Sequence, residues 1–153
     1  MRKKAFFLSC IIILFTTLGL KVAFMLRANG SASVPLHTPD SVAFGLERSK
    51  VIWMAVGIEA MAIVLLLSRT SSFAKALTIG ITAHVFLSYR ILNDLFSDQI
   101  CPCLGGDWRW ISEHRFSYNI LMYCSLIYMF AGSFAILKEG YLRVPENQKG
   151  MVC

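Results

Sequence analysis

Two cysteines separated by a single proline, Cys101-Pro102-Cys103, are the residues of this sequence best suited to chemistry. The chain holds five cysteines, and Cys10, Cys124 and Cys153 stand apart from this pair and from one another. Pro102 fixes its own φ at about −65° and pushes Cys101 toward an extended backbone. A disulfide wants Cα atoms roughly 4.4–6.8 Å apart with a defined torsion. Residues two apart in an extended chain sit near or beyond the upper limit, so a Cys101–Cys103 bond would close a small, strained ring. Strained and exposed disulfides are the easily reduced, exchanging kind. A purely structural bridge is the weaker reading, because so small a loop restrains little unfolded-chain entropy. Two inert thiols and a metal site are the others. Thiolates are soft ligands and would favour copper(I), but His37 and His114 have no spacing that completes a metal site, and none is assigned. Gly105-Gly106 would let another backbone come close to the pair.

Other polar residues fall inside apolar stretches. Glu59 is at the middle of one such block and His84 at the middle of the next. A charged side chain at mid-bilayer costs about 2.5–3.5 kcal/mol or more when unpaired, so the spacing predicts a Glu59–His84 hydrogen bond. That bond is either a clasp between two helices, or part of a proton relay or a polar contact with a cofactor. A quinone is one such carrier, although no residue pattern marks a quinone site. Arg90 stands one turn before Asp94, at the spacing of an i,i+4 ion pair. A sharper reading puts Arg90 beneath Cys101 and Cys103, where it would favour a thiolate. Lys21 is expected to snorkel from the first apolar block toward the headgroups. Cys124 lies on the same side of its block as the motif and Cys10 on the opposite side; both suit small buried positions.

The elements that carry these residues follow from composition. Of the 153 residues, 56% are hydrophobic and 16% charged, where soluble domains carry about 25% charged. A bilayer core takes roughly 20 apolar residues as helix. Four blocks approach that length, at 5–26, 51–67, 76–92 and 118–137. None shows the two-residue alternation of a barrel strand. The expected fold class is therefore all-α, a four-transmembrane-helix bundle in one domain. The net charge of +6 is spread between the blocks, with no basic helix or aromatic-basic patch, which speaks against nucleic acid. It follows topology instead: Arg2, Lys3 and Lys4 precede the first block, Arg69 and Lys75 lie between the second and third, and Lys138, Arg143 and Lys149 follow the fourth. The excess of Lys and Arg on one side places both termini in the cytoplasm and the cysteine pair outside it.

The connections divide accordingly. The first outer loop, 27–50, contains Pro35 and Pro39 and has room for a short surface helix over Asp40 to Ser49. The second and third blocks are joined by a tight turn, Ser68 to Ala74, and so should be antiparallel neighbours. The second outer loop, 97–117, carries the cysteine pair and Trp108 and Trp110, which suit a headgroup belt. A polar tail, 138–153, is expected to be flexible. The basic start and following apolar run also fit a secretory signal peptide with cleavage near 28–33, but the run is longer than the usual 7–15 residues.

Gly57-Ile58-Glu59-Ala60, Phe86-Leu87-Ser88-Tyr89-Arg90, Cys101-Pro102-Cys103-Leu104-Gly105-Gly106 and Ala131-Gly132-Ser133 together resemble the MauE-like, DoxX-related membrane proteins, a family named for the methylamine utilisation protein. The resemblance spans roughly Ile52 to Leu137, and the Cys-x-Cys-Leu-Gly element is its most specific part. It implies a four-helix bundle in the bacterial inner membrane. It also implies periplasmic thiol–disulfide chemistry beside a thioredoxin-like partner or a disulfide-containing client. On that reading Cys101 and Cys103 are the catalytic pair of a thiol–disulfide oxidoreductase, supported by Arg90, Glu59, His84 and Pro102. The alternative from another class is a non-enzymatic membrane assembly factor, in which the pair binds copper or forms a structural loop.

Overall fold

A computed structural model describes residues 3–28, 39–40, 42–43, 45–96 and 115–142. Cys101, Pro102 and Cys103 lie outside the described residues, as do His37, His114, Trp108, Trp110 and the tail beyond 142. The described chain is all-α, with four helices: α1 Lys3–Ala28, α2 Arg48–Leu67, α3 Ser72–Phe96 and α4 Arg115–Leu142. Each is longer than its apolar block, because a helix continues past the hydrocarbon boundary wherever its flanking residues tolerate it.

Hydroxyl residues survive in these helices by bonding to their own backbone. Ser9 Oγ donates to Ala5 O, Thr16 Oγ1 to Ile12 O, Thr78 Oγ1 to Ala74 O and Ser125 Oγ to Leu121 O, all at 2.8–3.0 Å. In lipid these bonds replace the water a hydroxyl would otherwise need.

Large apolar side chains point outward over much of the bundle. Met61, Val64, Leu121 and Phe134 are each more than 60% exposed, whereas Lys21, Glu59, Arg90 and Asn93 are buried. A water-soluble domain would reverse that distribution. Three helices, α1, α2 and α4, are long and apolar enough to cross a membrane. The 25-residue α3 has the length, but Thr82, His84, Arg90, Asn93 and Asp94 lower its apolarity. Its Thr82, Arg90 and Asn93 face inward, and Ile81, Val85 and Ile91 face outward.

Contacts at the helix ends set the topology. Lys3 Nζ lies 3.3 Å from Glu139 Oε2, which brings the start of α1 to the end of α4. Gly140 of α4 sits beside the Phe73 ring at the start of α3. The α2–α3 turn is at this same end, so the helices run up, down, up, down. That turn is shorter than expected, because 72–74 already form the first turn of α3. Ser71 Oγ accepts from Ala74 N at 3.2 Å and caps the helix. Ser68 Oγ donates to Leu65 O at 2.7 Å and closes α2.

Small residues let the helices close up. A Cβ on Gly132 of α4 would overlap the Phe6 ring of α1, and one on Gly80 of α3 would stand 2.9 Å from Ser133 Oγ of α4. Close approach at small residues is the usual basis of helix packing in lipid. The apolar core around Phe6, Cys10, Ile79, Ala83 and Met129 lies nearer the end that holds the α2–α3 turn.

At the other end, the described residues between Asp40 and Glu47 do not form the expected surface helix. Asp40 Oδ1 accepts from Val42 N and Ala43 N, both at 2.9 Å, and Asp40 N donates to Leu46 O at 2.8 Å. Gly45 adopts φ 77°. The Asp40 side chain takes the amides in an Asx-type turn, and the left-handed glycine reverses the chain, so helix begins only at Arg48.

Candidate functional site

Two buried polar clusters lie along the bundle axis. The first is central. Lys21 Nζ of α1 lies 2.5 Å from Glu59 Oε1 of α2, with both side chains at most 4% exposed. Thr17, one turn before Lys21, donates its hydroxyl to the same oxygen at 3.1 Å. Phe86 of α3 covers the ammonium, 4.8 Å from nitrogen to ring centroid, a cation–π contact. Glu59 Oε2 is buried and has no hydrogen-bond partner among the described residues.

This arrangement corrects two expectations. Glu59 does not bond to His84. The inward stripe of α3 runs through Ile79, Thr82, Ala83, Arg90 and Asn93. His84 falls off that stripe and is exposed, its ring 6.2 Å from that of Phe130 on α4. Lys21 does not snorkel either, because a carboxylate on the neighbouring helix offers it a partner inside the bundle. Thr17 and Lys21 were recognisable in sequence as an i,i+4 polar pair on a mostly apolar helix.

The second cluster lies at the end where α3 leads into the segment containing the cysteine pair. Arg90, 1% exposed, donates through Nη2 to Asn119 Oδ1 of α4 and lies 3.3 Å from Asp94 Oδ1. The expected i,i+4 pairing with Asp94 is therefore present. Tyr123 of α4 donates its hydroxyl to Asp94 Oδ2 at 2.7 Å. Sequence reasoning did not single out Asn119 or Tyr123, although they too form an i,i+4 polar pair. Nε and Nη1 of Arg90 are buried with no partner among the described residues. A neighbouring tie joins the first connection to α3: Tyr89 donates its hydroxyl to Asp40 Oδ2 at 2.6 Å.

Cys10 is fully buried in the core and Cys124 is exposed on α4, both as free thiols. No group of metal-binding side chains occurs among the described residues. A cavity of about 200 Å³ opens between α2 and α3, lined by Ile52, Met54, Ile58, Val85, Phe86 and Tyr89 among others. A smaller one of about 40 Å³ lies inside the bundle beside Glu59.

The apolar exterior, the polar interior and the three span-length helices together mark an all-α, multi-pass membrane protein. No family model, curated protein or solved structure matches the chain.

Proposed function

We propose that the chain is a membrane component of thiol–disulfide exchange, in which the Cys101/Cys103 pair passes a disulfide or electrons to a thioredoxin-like or client protein. The structural observation that supports this reading is Arg90. It is a fully buried cation whose Nε and Nη1 have no partner among the described residues, six residues before the last residue of the helix that leads into the cysteine pair. A fixed guanidinium near a dithiol favours the thiolate, which is the attacking form in exchange. Asn119 and Asp94 hold the guanidinium in place, so it is positioned before any partner arrives. The motif's strained spacing and its resemblance to MauE-like proteins support the same reading.

The exchange is a pair of displacements. One thiolate sulfur attacks a disulfide sulfur of the partner, the partner's S–S bond breaks, and a mixed disulfide forms. The second thiolate then attacks that bond, releasing the partner as a dithiol and leaving Cys101–Cys103 oxidised. The reverse order delivers a disulfide to the partner. In this proposal α3 is a fourth span, with its polar residues turned inward. Both termini are cytoplasmic and the motif faces the periplasm of a bacterial inner membrane. The basic residues Lys3, Lys4, Arg69, Lys75 and Lys138, gathered at one end of the bundle, support that orientation.

Alkylation in intact cells tests the proposal. With a membrane-impermeant maleimide, Cys101 and Cys103 should resist labelling when oxidised and react after mild external reduction, without permeabilisation. A pair that reacts equally before and after reduction is a pair of inert thiols, and the proposal fails.

A further inference from the structure

The central cluster is not used by the cysteine chemistry proposed above. Glu59 uses one oxygen for Lys21 and Thr17, and the other has no partner among the described residues, although the residue is 2% exposed. A buried carboxylate oxygen without a donor is costly, roughly 1–3 kcal/mol or more for a charged group. The adjoining cavity of about 40 Å³ is lined by all four helices, with Thr17 and Lys21 from α1, Glu59 from α2, Phe86 from α3, and Met122 and Ser125 from α4. One water needs a probe-occupied volume of at least about 10–15 Å³ and two to four polar partners. The volume is large enough, and Glu59, Lys21 and Ser125 are among the polar residues that line it. Glu59 Oε2 can accept from a water, Lys21 Nζ has further N–H groups to donate, and Ser125 Oγ keeps acceptor lone pairs while its proton goes to Leu121 O.

We infer that Glu59, Lys21 and Ser125 form a hydrated proton-binding site at the centre of the bundle. The remaining cavity lining is apolar apart from Thr17, so Lys21 is the titratable neighbour on α1 and neither α3 nor α4 presents one to this cavity. With Lys21 charged and Glu59 ionised the pair is neutral. Protonation runs through the water: an O–H bond of a hydronium breaks, an Oε2–H bond forms, water remains, and the pair carries one net positive charge. Lys21 and Phe86 also line the 200 Å³ cavity that opens between α2 and α3. These two residues therefore stand between the inner cavity and the larger one. This inference is independent of the thiol proposal and stands if that proposal fails.

Infrared difference spectroscopy on the full chain in lipid tests it, with pH titration and transfer to D2O. The expected result is a carboxylic-acid C=O band that grows on acidification, shifts promptly in D2O and is lost in Glu59→Gln. Ser125→Val changes a partly exposed position and fills the cavity. It should keep the band and make its D2O shift slower by an order of magnitude or more. A wild-type chain in which no such band titrates or exchanges while the protein stays folded overturns the inference, as does unchanged exchange in Ser125→Val. Either outcome would leave the pair as a structural clasp.

Discussion

Lys21 and Glu59 meet 2.5 Å apart between α1 and α2, buried among apolar side chains at the centre of the bundle. Each removes the other's isolated charge from the membrane interior. Glu59→Leu strands Lys21 there and should destabilise the bundle by about 2.5–3.5 kcal/mol. The double variant Lys21→Met/Glu59→Leu should recover most of that loss, since well-packed apolar residues often replace a buried ion pair without penalty. Reversible unfolding in bicelles, analysed as a double-mutant cycle, measures the coupling; additive losses would mean the two charges do not depend on one another.

Close packing of α1 on α4 depends on Gly132, where any side chain meets the Phe6 ring. Gly132→Ala should cost about 1–3 kcal/mol as an overpacking change. Phe6→Leu should relieve part of the Gly132→Ala defect, because it removes the atoms in conflict. Gly80→Ala should be milder, since it meets only the Ser133 hydroxyl group. The same unfolding assay ranks the variants, and equal losses at Gly80 and Gly132 would contradict the packing described.

Tyr89 anchors the first connection by donating to Asp40, whose other oxygen organises the turn through Val42 and Ala43. Tyr89→Phe should loosen that turn at a cost of about 1.5–3 kcal/mol, the range for hydrogen bonds to charged groups. Amide hydrogen exchange at Val42 and Ala43 should accelerate, while exchange at mid-α2 stays slow. Unchanged protection at both amides would show that the turn holds without Tyr89.

The apolar blocks located all four helices, because runs of that length have few other solutions in lipid. The partner of Glu59 was not legible in the same way. Depth alone pointed to His84, but whether a residue faces inward depends on how the whole helix is rotated. On α3 that rotation follows the stripe from Ile79 to Asn93, which excludes His84. The 40–47 segment misled for a local reason. Its composition tolerates helix, whereas the Asp40 side chain and the positive φ of Gly45 select a turn. Arg90 paired with Asp94 as its spacing implied, but Asn119 is distant in sequence and required the α3–α4 packing to be found.

Arg90 gives the thiol proposal a measurable electrostatic consequence. Arg90→Gln should slow alkylation of the reduced Cys101/Cys103 pair by about tenfold, equivalent to roughly 1.4 kcal/mol of lost thiolate stabilisation. Arg90→Lys should fall between, since lysine keeps the charge but not the planar fork that engages Asn119 and Asp94. Rates measured against pH separate this from a folding defect: at high pH, where both thiols ionise fully, Arg90→Gln should regain the wild-type rate.

Capture of a mixed disulfide tests the central claim most directly. Cys101→Ser and Cys103→Ser variants, expressed in native membranes and quenched with acid, should yield a covalent adduct with a second protein from at least one of the two. That adduct should dissolve on reduction and be absent when both cysteines are replaced. If neither variant ever traps a partner and the redox state of thioredoxin-like proteins is unaltered in both, the Cys101/Cys103 pair does not carry out exchange.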